Sequence, residues 1–252
     1  MKLILALTLL PAAARAGQAA APRPRLAVII DDFGLDHRGT PPNAEWWAQT
    51  WPFTASVMPE SPLTKESAEG AVKAGKGLMI HFPFDPFLRL KLPKDAADPG
   101  DEAKVSALLE KAIKQVPGAK GLNNHRSLHA TMNRPLMAWF MQRLKPTGLF
   151  FVDSRVSGKT VAYAEAKKAG IPTAINEFFL DEGPKSGEAF CLKWLHAAVS
   201  VARRHGSAIV IGHHYYRGTL DCLSKRIPEV KKEGVDVVLA ADLVRRSAPS
   251  RP

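Results

Sequence analysis

Apolar positions along the chain alternate between two rhythms. Short continuous apolar runs alternate with longer segments in which apolar residues recur every three or four positions, the patterns of strand and amphipathic helix. The plainest short run is LAVIIDD, Leu26 to Asp32, where five apolar residues lead straight into two carboxylates. A run of this kind reads as a strand buried on both faces, as in a parallel sheet covered by helices. Strands are likewise expected at 53–59, 77–84, 119–125, 148–154, 171–181 (strand plus loop), 207–214 and 235–244. Helical patterns fall between them, at 43–51, 61–75, 101–116, 134–145, 159–170, 187–206 and 220–234. Residues 84–101 carry Pro86, Pro93, Pro99 and Gly100 and read as a long loop. The βαβα alternation predicts parallel strands joined by right-handed crossovers, in one barrel-like α/β domain over residues 26–246.

The N-terminus changes the picture of where this domain works. MKLILALTLLPAAARAGQAA has one Lys, an apolar run and Ala14-Arg15-Ala16 as a small-x-small cleavage signal. It reads as a cleavable signal peptide, residues 1–16, too short to remain as a membrane span. A Pro/Ala-rich linker follows at 17–25, and 247–252 form a tail. Export to the periplasm or beyond is therefore expected, with no transmembrane segment after cleavage. Loss of Lys2 and Arg15 takes the net charge from +11 to about +9. A basic exported protein is drawn to anionic envelope polymers, although a merely solvated basic surface with no specific partner fits the charge better. No basic stripe is interleaved with aromatics, so nucleic acid is not an expected partner. Cys191 and Cys222 would sit in an oxidising compartment, either paired or as two buried thiols.

The candidate chemistry lies at strand ends. Two adjacent carboxylates, Asp31 and Asp32, cost free energy side by side unless a cation or a proton-transfer role compensates. Other strand-like runs end at His81, His125, Asp153 and His213. In α/β barrels, active-site residues gather at the carboxyl ends of different strands. Asp32, His81 and His125 would give two imidazoles and a carboxylate around an open metal position, as in zinc hydrolases and non-haem iron oxygenases. The second acid favours hydrolysis, because Asp31 is then free as a general base. Neighbouring strand residues face opposite ways, so both acids reach one site only if the strand ends at Asp31 and the chain turns, for which Phe33-Gly34 is suited. Asp31 or Asp32 could instead cap a helix, Asp153-Ser154 could be an N-cap, and Asn123-Asn124 could be turn residues rather than site residues.

The order VIIDDFG, TASVMPESP, HFPFDP, DPG, GLNNH, FVDSR, GIP with FFLD, and IGH with Thr219 downstream resembles the divergent polysaccharide deacetylase family, from Leu26 to Val244. That resemblance implies a distorted (β/α) barrel of about seven parallel strands, a divalent metal ion with zinc foremost, and hydrolysis of N- or O-acetyl groups on a cell-envelope polysaccharide such as peptidoglycan. By position, Asp31 resembles the catalytic base, Asp32, His81 and His125 the metal ligands, and His213 the late general acid. Asn124, Asp153 and Ser154 fall where the sugar would bind, and Asp181 where the late histidine would be oriented. The chain departs from the family pattern in three places. Arg126-Ser127-Leu128-His129 replaces Met-Gly-Ser-Arg, His214-Tyr215-Tyr216 stands where Pro is usual, and Asn176 stands where Arg is usual. An alternative is therefore a non-catalytic envelope protein that keeps the barrel and binds glycan or a protein partner.

Overall fold

A computed structural model describes residues 22–182 and 187–244. The signal peptide at 1–16, most of the linker and the 247–252 tail lie outside the described residues. Strand β1 (Arg25–Phe33) is followed by α1 (Asn43–Trp47), β2 (Thr54–Val57), α2 (Thr64–Lys73) and β3 (Gly77–Pro83). Next come α3 (Pro99–Gln115), β4 (Gly121–His125), α4 (Leu128–Met132), α5 (Arg134–Leu144) and β5 (Phe150–Asp153). The chain closes with α6 (Ala162–Ala169), β6 (Thr173–Ile175), β7 (Phe178–Phe179), α7 (Glu188–His205), β8 (Ser207–His213), α8 (Arg217–Lys232) and β9 (Asp236–Val238). No helix among the described residues is long and apolar enough to cross a membrane.

All strand pairings are parallel, in the order β6-β5-β4-β3-β2-β1-β8-β7, with β9 also against β1. One edge of β1 is shared: β9 pairs with Arg25–Ala27 and β2 with Ile29–Phe33. The two outermost strands, β6 and β7, are separated only by Asn176 and Glu177. Asn176 N–H donates to Asp153 on β5, and Glu177 N–H to Ile209 on β8, both at 2.9 Å. The sheet's two edges must therefore lie side by side, which makes a distorted barrel with a seam. The single strand expected over 171–181 is split at that seam, because its two halves bond to opposite edges.

Alternation along the strands decides what faces the barrel axis. Ala27 and Ile29 of β1 pack with Met79, Phe150, Val152, Ile209 and Ile211 in an inner cluster. Leu26, Val28 and Ile30 belong to the larger cluster beneath the helices, with Ile80, Leu122, Phe151 and Val210. Extending the inner series by two residues in each strand reaches Asp31, His81, Asn123, His125 and His213. The same parity sets Asp153, two residues after the outer Phe151, toward the helical layer. Two helices on the outer face, α7 and α8, are joined by the Cys191–Cys222 disulfide, so the pairing left open by sequence is formed.

Candidate metal centre

Asp32 breaks the alternation. By parity it belongs with Ile30 on the helical side, but its φ is 67° and the β1–β2 register shifts between Ile30 and Phe33. This bulge brings two consecutive carboxylates to one side. The strand runs on to Phe33, so the turn expected at Phe33-Gly34 is made one residue earlier, by Asp32 itself.

Three buried side chains then meet. Asp32 Oδ1 is 2.8 Å from His125 Nδ1 and 3.1 Å from His81 Nε2, and the two ring nitrogens are 3.0 Å apart. The other His81 nitrogen, Nδ1, is 2.8 Å from Asn123 Oδ1. Asn123 Nδ2 donates to Asp31 at 2.9 and 3.1 Å, so the Asn123 oxygen must be the atom facing His81. His81 consequently carries its proton on Nδ1 and turns the Nε2 lone pair toward Asp32 and His125. Two ring nitrogens and an anionic oxygen crowded at these distances require a proton or a cation among them.

A divalent ion fits this set. Tetrahedral zinc with bonds of roughly 2.0–2.2 Å separates its ligand atoms by about 3.3–3.6 Å, a few tenths of an ångström outside the observed spacing. Burial opposes ionisation of Asp32, but the contacts with His125 and His81 outweigh it and hold its carboxyl well below the ordinary carboxylate range. Its neighbour behaves oppositely. Burial pushes the Asp31 carboxyl up, with the Asp32 charge adding to the rise and His81 and His213 opposing it. Two adjacent acids therefore differ in proton affinity, the condition for one to hold a cation and the other to exchange a proton.

Across the cavity, His213 Nδ1 donates to Asp181 Oδ1 at 2.7 Å, and its backbone N–H donates to Asp181 Oδ2 at the same distance. Thr219 also donates to Asp181 Oδ2. Burial would discharge the His213 ring, but the Asp181 bond and charge prevail and its pKa is pushed up to about 10. Phe179 stacks on the ring at 5.9 Å, with Tyr215 at 5.5 Å.

The cavity, about 60 Å³, is lined by Asp31, Asp32, His81, His125 and His213 together with Asn124 and Ser154. Asp181 reaches it through His213. Of the residues expected at the site, Asp153 is the one kept away: it accepts from Arg155 N–H, the Thr160 hydroxyl and Tyr163 N–H, holding the turn into α6. Asn124 does not present a free amide either, since it accepts from Ser154 N–H and donates to Arg126 O. One contributor, Glu182, escapes sequence reasoning, which names Asn123 only with Asn124, as turn or site residues. Asn123 is a positioning residue for both Asp31 and His81, and Glu182 places Oε1 3.5 Å from His213 Nε2. Asn123 shares a strand face with His125, which was a usable signal; nothing in the sequence singles out Glu182.

A family model described as divergent polysaccharide deacetylase matches residues 28–244. A protein of Haemophilus influenzae is 32% identical over 190 residues, covering 75% of this chain and 66% of its own length. YibQ of Escherichia coli K12 is 33% identical over 192 residues, covering 75% and 58%. The chain thus spans about two thirds or less of the length of these relatives. Among solved structures, ATU2773 from Agrobacterium tumefaciens C58 superposes with a TM-score of 0.74 at 21% identity, covering 90% of this chain and 92% of that one. The catalytic domain of a peptidoglycan N-acetylglucosamine deacetylase from Eubacterium rectale gives 0.54 at 13%, covering 92% and 95%. Peptidoglycan deacetylase PdaC from Bacillus subtilis gives 0.51 at 14%, covering 88% and 90%. At these identities the structures share the barrel and no more.

Proposed function

Because the chain belongs to the divergent polysaccharide deacetylase family, we propose that it is an exported, metal-dependent hydrolase that removes acetyl groups from a cell-envelope polysaccharide such as peptidoglycan. The observation that carries this reading is the division of labour at the end of β1. Asp32 joins His81 and His125, while Asn123 holds Asp31 beside that cluster and out of it. Two nitrogens and one oxygen suit zinc better than the all-oxygen cations. When bound, such an ion supplies Lewis-acid polarisation of the acetyl carbonyl and an acidified water.

The chain's own residues do the rest. Asp31, with its proton affinity raised by burial, accepts the proton of the attacking water. His213, kept charged by Asp181, gives its Nε2 proton to the departing nitrogen or oxygen. Stacked Phe179 fixes the plane of that ring. The Cys191–Cys222 disulfide supports export, since such bonds persist in oxidising compartments.

One feature favours a second reading, a non-catalytic glycan- or partner-binding envelope protein: Glu182 stands 3.5 Å from the very nitrogen that would act as acid. Acetate release separates the two. Zinc-loaded protein should release acetate from acetylated chito-oligosaccharides or peptidoglycan, and Asp31→Asn should lower the rate by about 10²–10⁴-fold with zinc content unchanged. Full activity in Asp31→Asn would remove Asp31 as the base, and no release from either substrate would leave the binding reading.

A further inference from the structure

Among the residues lining the catalytic cavity, Arg126 is the only Lys or Arg. Its guanidinium makes no hydrogen bond or ion pair among the described residues, although Asp31, Asp32 and Glu182 line the same cavity. Arg126 is exposed, and its charge acts on His125 beside it. Arg126 and Ser127 both have left-handed angles, φ 47° and 65°, conformations that non-glycine residues adopt only where surrounding bonds impose them. Those bonds are present: Asn124 Nδ2 donates to Arg126 O at 3.0 Å, and the Ser127 hydroxyl donates to His125 O at 2.5 Å.

A second observation on the same wall points to a ligand. Ser154 is 2% exposed and lines the cavity, yet its hydroxyl oxygen has no hydrogen-bond partner. Asn124 connects it to Arg126, because the amide that donates to Arg126 O also accepts from Ser154 N–H at 2.9 Å. One side chain therefore ties the backbone of Arg126 to the backbone of Ser154 at adjacent strand ends. A buried polar atom without a partner is costly, and a ligand oxygen would satisfy it.

We propose that Arg126 and Ser154 form a subsite for a carboxylate on the sugar that bears the acetyl group, so that the substrate is an acidic acetylated glycan and not a neutral one. This rests on the deacetylase reading above. The guanidinium fork matches a carboxylate with two parallel N–H donors, and Ser154 can donate to the same group or to the sugar oxygen beside it.

N-acetylmuramic acid and N-acetylglucosamine make a matched pair of probes, differing by one carboxylate-bearing ether. Zinc-loaded wild type, Arg126→Met and Arg126→Lys are compared by acetate release from oligosaccharides ending in each sugar, and by calorimetric titration with each. In wild type the acidic probe should be preferred in kcat/KM and in affinity. Arg126→Met should reduce the acidic-to-neutral ratio by about 10–100-fold, the range of a charge-assisted hydrogen bond, and Arg126→Lys should restore part of it. Equal treatment of both probes by wild type, or a preference that survives Arg126→Met, overturns the subsite while acetate release still upholds the deacetylase. No acetate from either probe, with acid-selective binding lost in Arg126→Met, upholds the subsite and removes the deacetylase.

Discussion

Asn123 and Asp31, 92 residues apart in sequence, are joined by two hydrogen bonds from one amide nitrogen, at 2.9 and 3.1 Å. The amide's other end receives His81. One neutral side chain thus aims the proposed base and sets the tautomer of a proposed metal ligand, and outer partners of this kind tune a metal site nearly as strongly as the ligands themselves.

Asn123→Asp separates these two duties. A carboxylate still accepts the His81 Nδ1 proton, so zinc binding should persist. The donor to Asp31 is replaced by a second anionic oxygen, which raises the Asp31 pKa further. The expected result is near-stoichiometric zinc, a rate lowered by about 10²-fold or more, and an acid limb of the pH–rate profile displaced upward. An unshifted acid limb would show that Asp31 is not the titrating base.

The native pH profile follows from the same two groups. The proposed mechanism needs Asp31 ionised, and burial first, then the Asp32 charge, raises its pKa above the ordinary carboxylate value. It also needs His213 protonated, which holds up to about 10. kcat/KM should therefore rise with pH through a displaced carboxyl titration, level off, and fall near pH 10. Asp181→Asn removes the charge that opposes burial of the imidazolium, so the high-pH limb should move down and narrow the plateau. An alkaline limb unmoved by Asp181→Asn would assign it to some other group. The raised His213 pKa also stabilises the fold: the contribution is complete below the unfolded-histidine value of about 6.5 and is lost as pH climbs toward about 10.

Much of this was legible in sequence because it is periodic. LAVIIDD announces a strand buried on both faces, and the residues His81, His125 and His213 each extend an inner-facing series by two positions. Asp153 looked equivalent because it also ends an apolar run. Its parity is opposite, and a run apolar on every position conceals parity. The bulge at Asp32 was not legible, since nothing local demands a left-handed aspartate; it is seen only where Asp32 meets His81 and His125. Asn123 shares the inner face of β4 with His125, but its bonds to Asp31 and His81 and the Glu182 contact form only when distant strand ends converge, and no local pattern encodes those. The split of 171–181 into β6 and β7 likewise depends on which edge of the sheet each half meets.

The disulfide between α7 and α8 gives a stability prediction independent of the site. Cys191 and Cys222 are separated by 31 residues, a loop for which chain-entropy reasoning gives about 3–4 kcal/mol. Replacing both by Ala should lower the unfolding free energy by roughly that amount, less any denatured-state effect, without changing zinc stoichiometry. Denaturant titration of the oxidised protein against the double variant measures it. Equal midpoints would mean that the covalent link adds nothing to the packing of α7 on α8.

Zinc should stabilise the fold through its ligands and through nothing else. An ion that binds the folded chain at about 100 times its dissociation constant adds about 2.7 kcal/mol, which for a chain of this size raises Tm by about 5–10 °C. The increment should survive Asp31→Asn, because Asp31 stands outside the Asp32–His81–His125 triangle. It should vanish in His125→Ala, where one corner of the triangle is removed and the remaining pair cannot hold zinc against water. Magnesium at the same concentration should give a smaller increment, because two imidazole nitrogens are poor ligands for a hard cation. A zinc-dependent rise in Tm that is equal in wild type and His125→Ala would place the ion elsewhere and detach the metal from the end of β1.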